Sequence, residues 1–138
     1  MKSIFKIFWD PNPFLQDLGL LVARLTVGIG MLLHGWGKIQ NFSAMASSFA
    51  DPLGIGSYPS AILVIFAEFI CSILLILGFM SRLALINLLI TMGVAGFIHH
   101  AADPFAKKEL ALLYFGVYLA LFFLGPGRLS VDKVIYKR

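Results

Sequence analysis

Four long apolar stretches constrain this chain more than any other feature of its sequence. They cover approximately residues 18–36, 60–80, 83–102 and 110–125, and each is close to the roughly 20 residues that an α-helix needs to cross about 30 Å of hydrocarbon. Backbone polar groups must be paired within such a segment, and no stretch alternates apolar and polar residues as a barrel strand does. The sequence therefore predicts an all-α integral membrane protein, a bundle of four spanning helices.

The composition supports lipid as the main solvent. Hydrophobic residues make up 59% of the 138 residues and charged residues only 13%, and the mean hydropathy is +0.90. A soluble domain of this size needs more charge to cover its surface. No linker divides the chain, so we expect a single domain over residues 1–138. The basic residues form no dense patch, which argues against nucleic acid, and the single Cys71 excludes an intrachain disulfide and any CxxC motif.

The flanking charges predict an orientation. Seven basic residues fall on the side of the two termini and three on the opposite side: Lys2, Lys6, Arg82, Arg128, Lys133, Lys137 and Arg138 against Lys38, Lys107 and Lys108. Because positive charge accumulates on the cytoplasmic side, both termini are predicted to be cytoplasmic. A short amphipathic segment at residues 1–9 is expected to lie in the headgroup layer.

Two charged residues, Arg24 and Glu68, fall inside the first and second apolar stretches. Helical geometry puts each of them on a single polar stripe of its helix, with a difference in height of roughly 8 Å within the bilayer. An unpaired charge at this depth costs at least about 2.5 to 3.5 kcal/mol. We therefore expect Glu68 to face the bundle interior, where it is either paired with Arg24 or protonated.

The outer ends of the spans carry further polar residues. His34 and Lys38, His99, and Glu109 lie at the outer ends of the first, third and fourth spans, with Glu68 below them, and together they predict a pocket that opens outward. With Arg24 as the partner of Glu68, the predicted ligand-binding residues are Arg24, His34, Lys38, Glu68, His99 and Glu109. Adjacent residues on a helix point in different directions, so only one of His99 and His100 is a good ligand candidate. His99 is preferred because Met92, Ala95 and Gly96 share its face. A metal held by His34, His99, Glu68 and Glu109 has suitable donors, but the spacing is no recognised metal motif and no metal is predicted.

Simpler interpretations stand beside these. Lys38 also fits a side chain that reaches to the headgroups, and Cys71 fits a small core residue. The Arg24 and Glu68 pair also fits a structural ion pair that only fixes helix register.

Three segments closely resemble the DoxX family of small bacterial membrane proteins: LLVARLTVGIGMLLHGWGKI at 20–39, AEFICSILLILGFMSRLAL at 67–85 and ELALLYFGVYLALFFLGPGRLSVD at 109–132. The resemblance implies a four-helix bundle in the bacterial inner membrane with both termini inside. By position, the polar set of the family falls on Arg24, His34, Lys38, Glu68, Arg82 and Glu109. The family is named after a subunit associated with a quinol oxidase, and one relative is the membrane subunit of a thiosulfate:quinone oxidoreductase.

The resemblance implies a membrane subunit or partner of an oxidoreductase system, with a quinone-like molecule bound between the helices. No haem ligand pair, flavin fingerprint or iron-sulfur cysteine set is present in the sequence, so a complete enzyme needs a partner protein. Two alternatives stay open. One is a non-catalytic scaffold or assembly protein, and the other is a small transporter, for which a homo-oligomer would form the path.

Overall fold

The computed structural model of the chain describes residues 4, 6 and 9–137, and all the regular elements of that part are helical. There are four long helices: α1 (Pro13–Gln40), α3 (Ser57–Leu77), α4 (Ser81–His99) and α5 (Phe105–Leu124). Two short helices, α2 (Phe42–Met45) and α6 (Val131–Tyr136), follow α1 and α5. The predicted interfacial segment at residues 1–9 lies outside the described residues, except for Ile4, Lys6 and Trp9.

Local sequence signals set the ends of these helices. The side chain of Asn12 accepts a hydrogen bond from the Phe14 amide at 3.0 Å, and Pro13 occupies the first helical position of α1, where its missing amide hydrogen costs nothing. α3 ends at Gly78, which adopts the left-handed conformation with φ of 69° that glycine tolerates best. The last residue of α3 is therefore Leu77, and three residues separate it from the start of α4 at Ser81.

Two of the long helices widen locally into π-helical turns. These are Phe66–Cys71 in α3 and Val94–His99 in α4. A π turn inserts one extra residue into the helix, changes the directions of the following side chains and is often found at functional sites. Both turns lie in the same half of the bundle, because Glu68 in one and His99 in the other line the same cavity.

The core of the bundle is apolar and is built from all four long helices. Met31, Leu75, Leu88 and Tyr118 are almost completely buried within it. The outer surface is apolar as well, with exposed side chains such as Leu113. An apolar exterior of this extent suits hydrocarbon and not water.

The predicted membrane architecture is confirmed in its main part. Three helices, Pro13–Gln40, Ser57–Leu77 and Ser81–His99, are long and apolar enough to cross a membrane. The predicted fourth span at 110–125 falls mainly within α5, whose first turns carry Lys107, Lys108 and Glu109. A fourth crossing and the cytoplasmic side of the termini therefore stay predictions.

Candidate functional site

Glu68 lies in the π-helical turn of α3, about 16 Å along the helix from Ser57, and it is only 5% exposed. Its Oε2 atom is 2.5 Å from the Nζ atom of Lys38 on α1. The two helices approach closely beside this pair because Gly35 has no side chain. A Cβ atom at Gly35 would lie 2.8 Å from the Phe69 nitrogen and 2.9 Å from the Glu68 carbonyl carbon. Glu68 is therefore a buried carboxylate paired with a lysine.

The predicted ion pair between Arg24 and Glu68 is wrong. Arg24 is 1% exposed, but its guanidinium donates to four backbone carbonyls instead. Nε donates to Leu75 at 3.1 Å and Nη2 to Ile76 at 3.0 Å, while Nη1 donates to Pro126 at 2.5 Å and to Leu129 at 3.0 Å.

The physical reason is the height of Arg24 in the bundle. The last carbonyls of a helix have no partner within it, and Arg24 lies at the level where α3 ends. Glu68 precedes Leu75 by seven residues, which places it about 10 Å further along α3. Lys38 is near Glu68 in height, so it becomes the partner.

The Lys38–Glu68 pair forms one wall of a cavity of about 360 Å³. Thr91, His99 and His100 contribute further polar side chains to it. The loop that follows the 3₁₀ turn Ala46–Ser48 covers the cavity with Phe49, Pro52, Leu53 and Ile55. We call this loop, residues 49–56, the roof loop. The cavity therefore has the Lys38–Glu68 ion pair on one side and the apolar side chains of the roof loop on another.

The predicted pocket residues divide into two groups. Lys38, Glu68 and His99 all line the cavity, so the structure brings these three together. His34 and Glu109 are exposed and lie outside the cavity lining. The His34 ring instead makes an edge contact with Tyr114, with ring centroids 6.4 Å apart. The four donors considered for a metal are therefore not assembled.

His100 also lines the cavity, although His99 was the preferred histidine. The two rings are in contact, with centroids 4.4 Å apart. His100 Nδ1 is 2.7 Å from Asp103 Oδ2, and this hydrogen bond lowers the pKa of Asp103. Within the part of the chain that the structure describes, His99 makes no comparable hydrogen bond to a carboxylate, and it lines the cavity beside His100.

Asp51 was not predicted and organises the roof loop. Its carboxylate accepts hydrogen bonds from the Gly56 amide at 2.8 Å, the Ile55 amide at 2.9 Å and the Ser60 hydroxyl at 3.0 Å. These bonds, with that from Gly56 the strongest, lower the pKa of Asp51. An aspartate followed by closely spaced glycines is a turn signal, so the sequence DPLGIGS contained the information.

A second polar cluster lies at the opposite end of the bundle, around Arg24. The Asp132 carboxylate accepts hydrogen bonds from the Met80 amide at 2.8 Å, the Ser81 amide at 3.0 Å and the Ser81 hydroxyl at 2.9 Å. The Asp132 amide donates to Gly78 at 2.8 Å. We call Arg24, Gly78, Ser81 and Asp132 the Arg24 network.

The Arg24 network caps the end of α3 and the start of α4. It contains several of the residues that carry the family resemblance, and its hydrogen bonds hold helix ends together at a distance from the cavity. Arg82, from the same set, is exposed and donates to the Phe122 carbonyl at 3.3 Å. Neither Arg24 nor Arg82 is among the residues that line the cavity.

Comparison with known proteins places the chain in a family. The DoxX family profile matches residues 19–101. The chain is 30% identical to inner membrane protein YqjF of Escherichia coli K12, over 90% of this chain and 97% of YqjF. It is 28% identical to inner membrane protein YphA of the same organism, over 83% of this chain and 88% of YphA.

An uncharacterized protein of Haemophilus influenzae is 32% identical over 86% of this chain and 92% of its own length. No solved structure matches the chain. The family profile covers the first three long helices, except for the start of α1, and includes Lys38, Glu68 and His99. The chain therefore belongs to the DoxX family and is a multi-pass protein of the bacterial inner membrane.

Proposed function

We propose that this protein binds the ring of a quinone-like molecule in the cavity beside Lys38 and Glu68, as a membrane subunit or partner of an oxidoreductase system. The observation that carries the proposal is the cavity itself, with a volume of about 360 Å³ and a wall in which the buried Glu68 is paired with the half-buried Lys38. Ligand sites commonly combine an apolar lining with a few convergent polar groups, and this volume falls in their lower range. It suits a single substituted ring.

The cavity lining supports an amphiphilic ligand. Leu63 on α3 and Ile90 on α4 both line the cavity, and they are 57% and 59% exposed. Since exposed apolar side chains of this protein face acyl chains, the cavity is open towards the lipid between α3 and α4. A ring is thus accommodated inside while an isoprenoid tail stays in the membrane.

The polar groups match the oxygen atoms of such a ring. The Lys38 ammonium donates to a carbonyl oxygen of a quinone, and the Glu68 carboxylate accepts from a hydroxyl of the reduced quinol. Glu68 is also the best-placed group to take up or release a proton, because it lines the cavity and is itself shielded from solvent. Electrons are passed to or from a partner protein.

The proposed topology has four crossings, with α5 as the fourth and both termini in the cytoplasm. It is supported by the length of α5, 20 residues, and by the excess of basic residues at one end. In this orientation the cavity and its roof loop face the outer side of the membrane. The partner then docks on either face or within the membrane.

Quinone binding can be measured through Trp36. Its ring is stacked with Phe69, next to Glu68, with centroids 6.0 Å apart, and the chain has only one other tryptophan, Trp9. In a Trp9→Phe background in nanodiscs, we expect a short-chain ubiquinone analogue to quench Trp36 fluorescence with saturation. Glu68→Gln should weaken binding about tenfold or more, because the new amide keeps the shape but loses the charge.

The matched control is Glu109→Gln, which makes the same chemical change at an exposed site outside the cavity. It should bind as the parent does. Unsaturable quenching in the parent, or equal weakening by both substitutions, would contradict the proposal.

A scaffold role is the second candidate, because the Lys38–Glu68 pair links α1 to α3 within the protein. In that case Glu68→Gln lowers folded yield and activity together. A Glu68→Gln protein that is folded and abundant yet inactive in the cell excludes the scaffold role.

A further inference from the structure

A second, larger hollow lies between α1 and α5, on a surface that faces the membrane in the proposed four-crossing topology. Its volume is about 1010 Å³, nearly three times that of the cavity beside Glu68. Small or aliphatic side chains line most of it, among them Leu20, Ala23, Gly116 and Ala120. We call it the α1–α5 groove. It does not share a lining residue with the first cavity.

The length of the groove matches one leaflet of a bilayer. On α5 its lining runs from Leu112 to Leu124, and the twelve helical steps between these two residues span about 18 Å. Half of a hydrocarbon core measures about 15 Å. A single acyl chain that follows the groove from the headgroup layer therefore ends near the bilayer midplane.

One end of the groove is charged. Asp17, Arg128 and Lys133 line it there. Arg128 Nε lies 2.5 Å from Asp17 Oδ2 and the Arg128 amide donates to Asp17 Oδ1 at 2.9 Å, so these two opposite charges balance. Lys133 then gives this end a net positive charge.

We propose that the α1–α5 groove is a binding site for an anionic phospholipid, with an acyl chain along the groove and the phosphate beside Lys133 and Arg128. Charge complementarity identifies the headgroup, since basic residues at the membrane surface attract anionic lipids. The apolar lining of the groove and its length, close to the thickness of one leaflet, fit an acyl chain of the lipid.

A second copy of this protein is a poorer occupant. Two copies related by a two-fold axis along the membrane normal present the same surface to each other at the same height. The groove of one copy then faces the groove of the other, so neither groove is filled. The two Lys133 side chains also approach each other, and their like charges repel. A flexible acyl chain fills a concave surface without either cost.

The headgroup preference can be tested by titrating detergent-solubilised protein with phosphatidylglycerol and phosphatidylcholine and counting bound lipids by native mass spectrometry. We expect phosphatidylglycerol to bind about fivefold more tightly, the contribution of one basic residue near the surface. Lys133→Gln should remove this preference. Lys137→Gln is the matched control, since Lys137 is four residues away and does not line the groove, and it should keep the preference.

A second variant tests the groove itself. A Cβ atom at Gly116 would have nothing within 4 Å, so the backbone accommodates the start of a larger side chain here, and Gly116→Leu adds an isobutyl group to the lining of the groove. It should lose the tightly retained lipid and stay folded by circular dichroism. Gly37→Leu, at a glycine with equally open surroundings outside the groove, should retain it. Equal affinity for the two lipids, or a dimer whose formation excludes lipid and is blocked by Gly116→Leu, would overturn the proposal.

Discussion

Arg24 and Glu68, the two buried charged residues among those that the structure describes, are compensated in different ways. Arg24 is surrounded by backbone carbonyls, while Glu68 is paired with a lysine side chain. An isolated charge in a low-dielectric interior is very costly, so each must have partners. The sequence predicted the burial of both residues correctly. It could not predict the partners of Arg24, because Pro126 and Leu129 are more than a hundred residues away and contribute only their backbone atoms.

Arg24→Lys should destabilise the protein strongly even though the charge is kept. A lysine ammonium cannot reach four carbonyls arranged around a planar guanidinium, and each buried acceptor left without a donor costs about 1 to 3 kcal/mol. With at least two acceptors lost, we expect a loss of about 3 kcal/mol or more in the free energy of unfolding, measured by denaturant titration in detergent.

Arg82→Lys is the control for this substitution. The Arg82 side chain is exposed and makes one long hydrogen bond, so a change within about 0.5 kcal/mol is expected. Similar losses for the two variants would contradict the structural role assigned to Arg24.

At the scale of the helices, the apolar stretches predicted the spanning segments but not their internal irregularity. The predicted second span extends to residue 80, whereas α3 ends at Leu77, before the left-handed Gly78. The π turns at Phe66–Cys71 and Val94–His99 were not predicted, because no local residue pattern indicates them. Glu68 and His99, which lie in these turns, line the cavity as expected.

Gly35→Ala should disturb the contact between α1 and the π turn of α3. The added Cβ would clash with the backbone of Glu68 and Phe69, and backbone atoms cannot move aside as a flexible side chain can. We expect a loss of about 1 to 3 kcal/mol in stability, as for other overpacked contacts, together with weaker quinone binding. Thermal unfolding and the Trp36 titration measure the two effects.

Gly37→Ala is the matched substitution on the same helix. Nothing lies within 4 Å of a Cβ atom at this position, so the higher helix propensity of alanine should make the protein equally stable or about 0.5 to 1 kcal/mol more stable. If both alanine variants behave alike, the close approach at Gly35 has no energetic importance.

The roof loop should respond to acid through Asp51. Hydrogen bonds in the folded protein lower the pKa of Asp51 below its ordinary value of 3.8. A group of this kind contributes stability above its unfolded pKa, and the contribution is lost as the pH falls through the folded value. Amide hydrogen exchange of residues 53–56, compared after correction for the intrinsic rate, should show loss of protection below pH 3.8.

Asp51→Asn should show that loss of protection already at pH 7, because an amide cannot replace all the acceptor positions of a carboxylate. Protection in Asp51→Asn equal to that of the parent protein at neutral pH would show that the carboxylate does not hold the loop.

At the scale of the whole molecule, the sequence predicted the fold class better than the site. The helical membrane architecture follows from segment length and hydropathy, which are local properties. Three predicted pocket residues, Lys38, Glu68 and His99, do line one cavity. His34 does not, because α1 is also in contact with α5, and His34 points towards Tyr114 on that helix. Glu109 is exposed near the start of α5, and the relative positions of α5 and the cavity could not be deduced from spacing alone.

The proposed topology predicts the side of the C-terminus. A green fluorescent protein fused after residue 138 should be fluorescent, because it folds in the cytoplasm, and an alkaline phosphatase fusion at the same point should be inactive. The opposite pair of results would place the C-terminus outside. It would also move the cavity to the cytoplasmic half of the membrane.

Native mass spectrometry of protein released from its own bacterial membranes would show whether the cavity beside Lys38 and Glu68 holds a quinone ring. We expect one retained quinone per chain in the wild-type protein and none in an equally folded Glu68→Gln protein. A wild-type protein that carries no quinone and binds none when native quinones are added back would contradict the proposal.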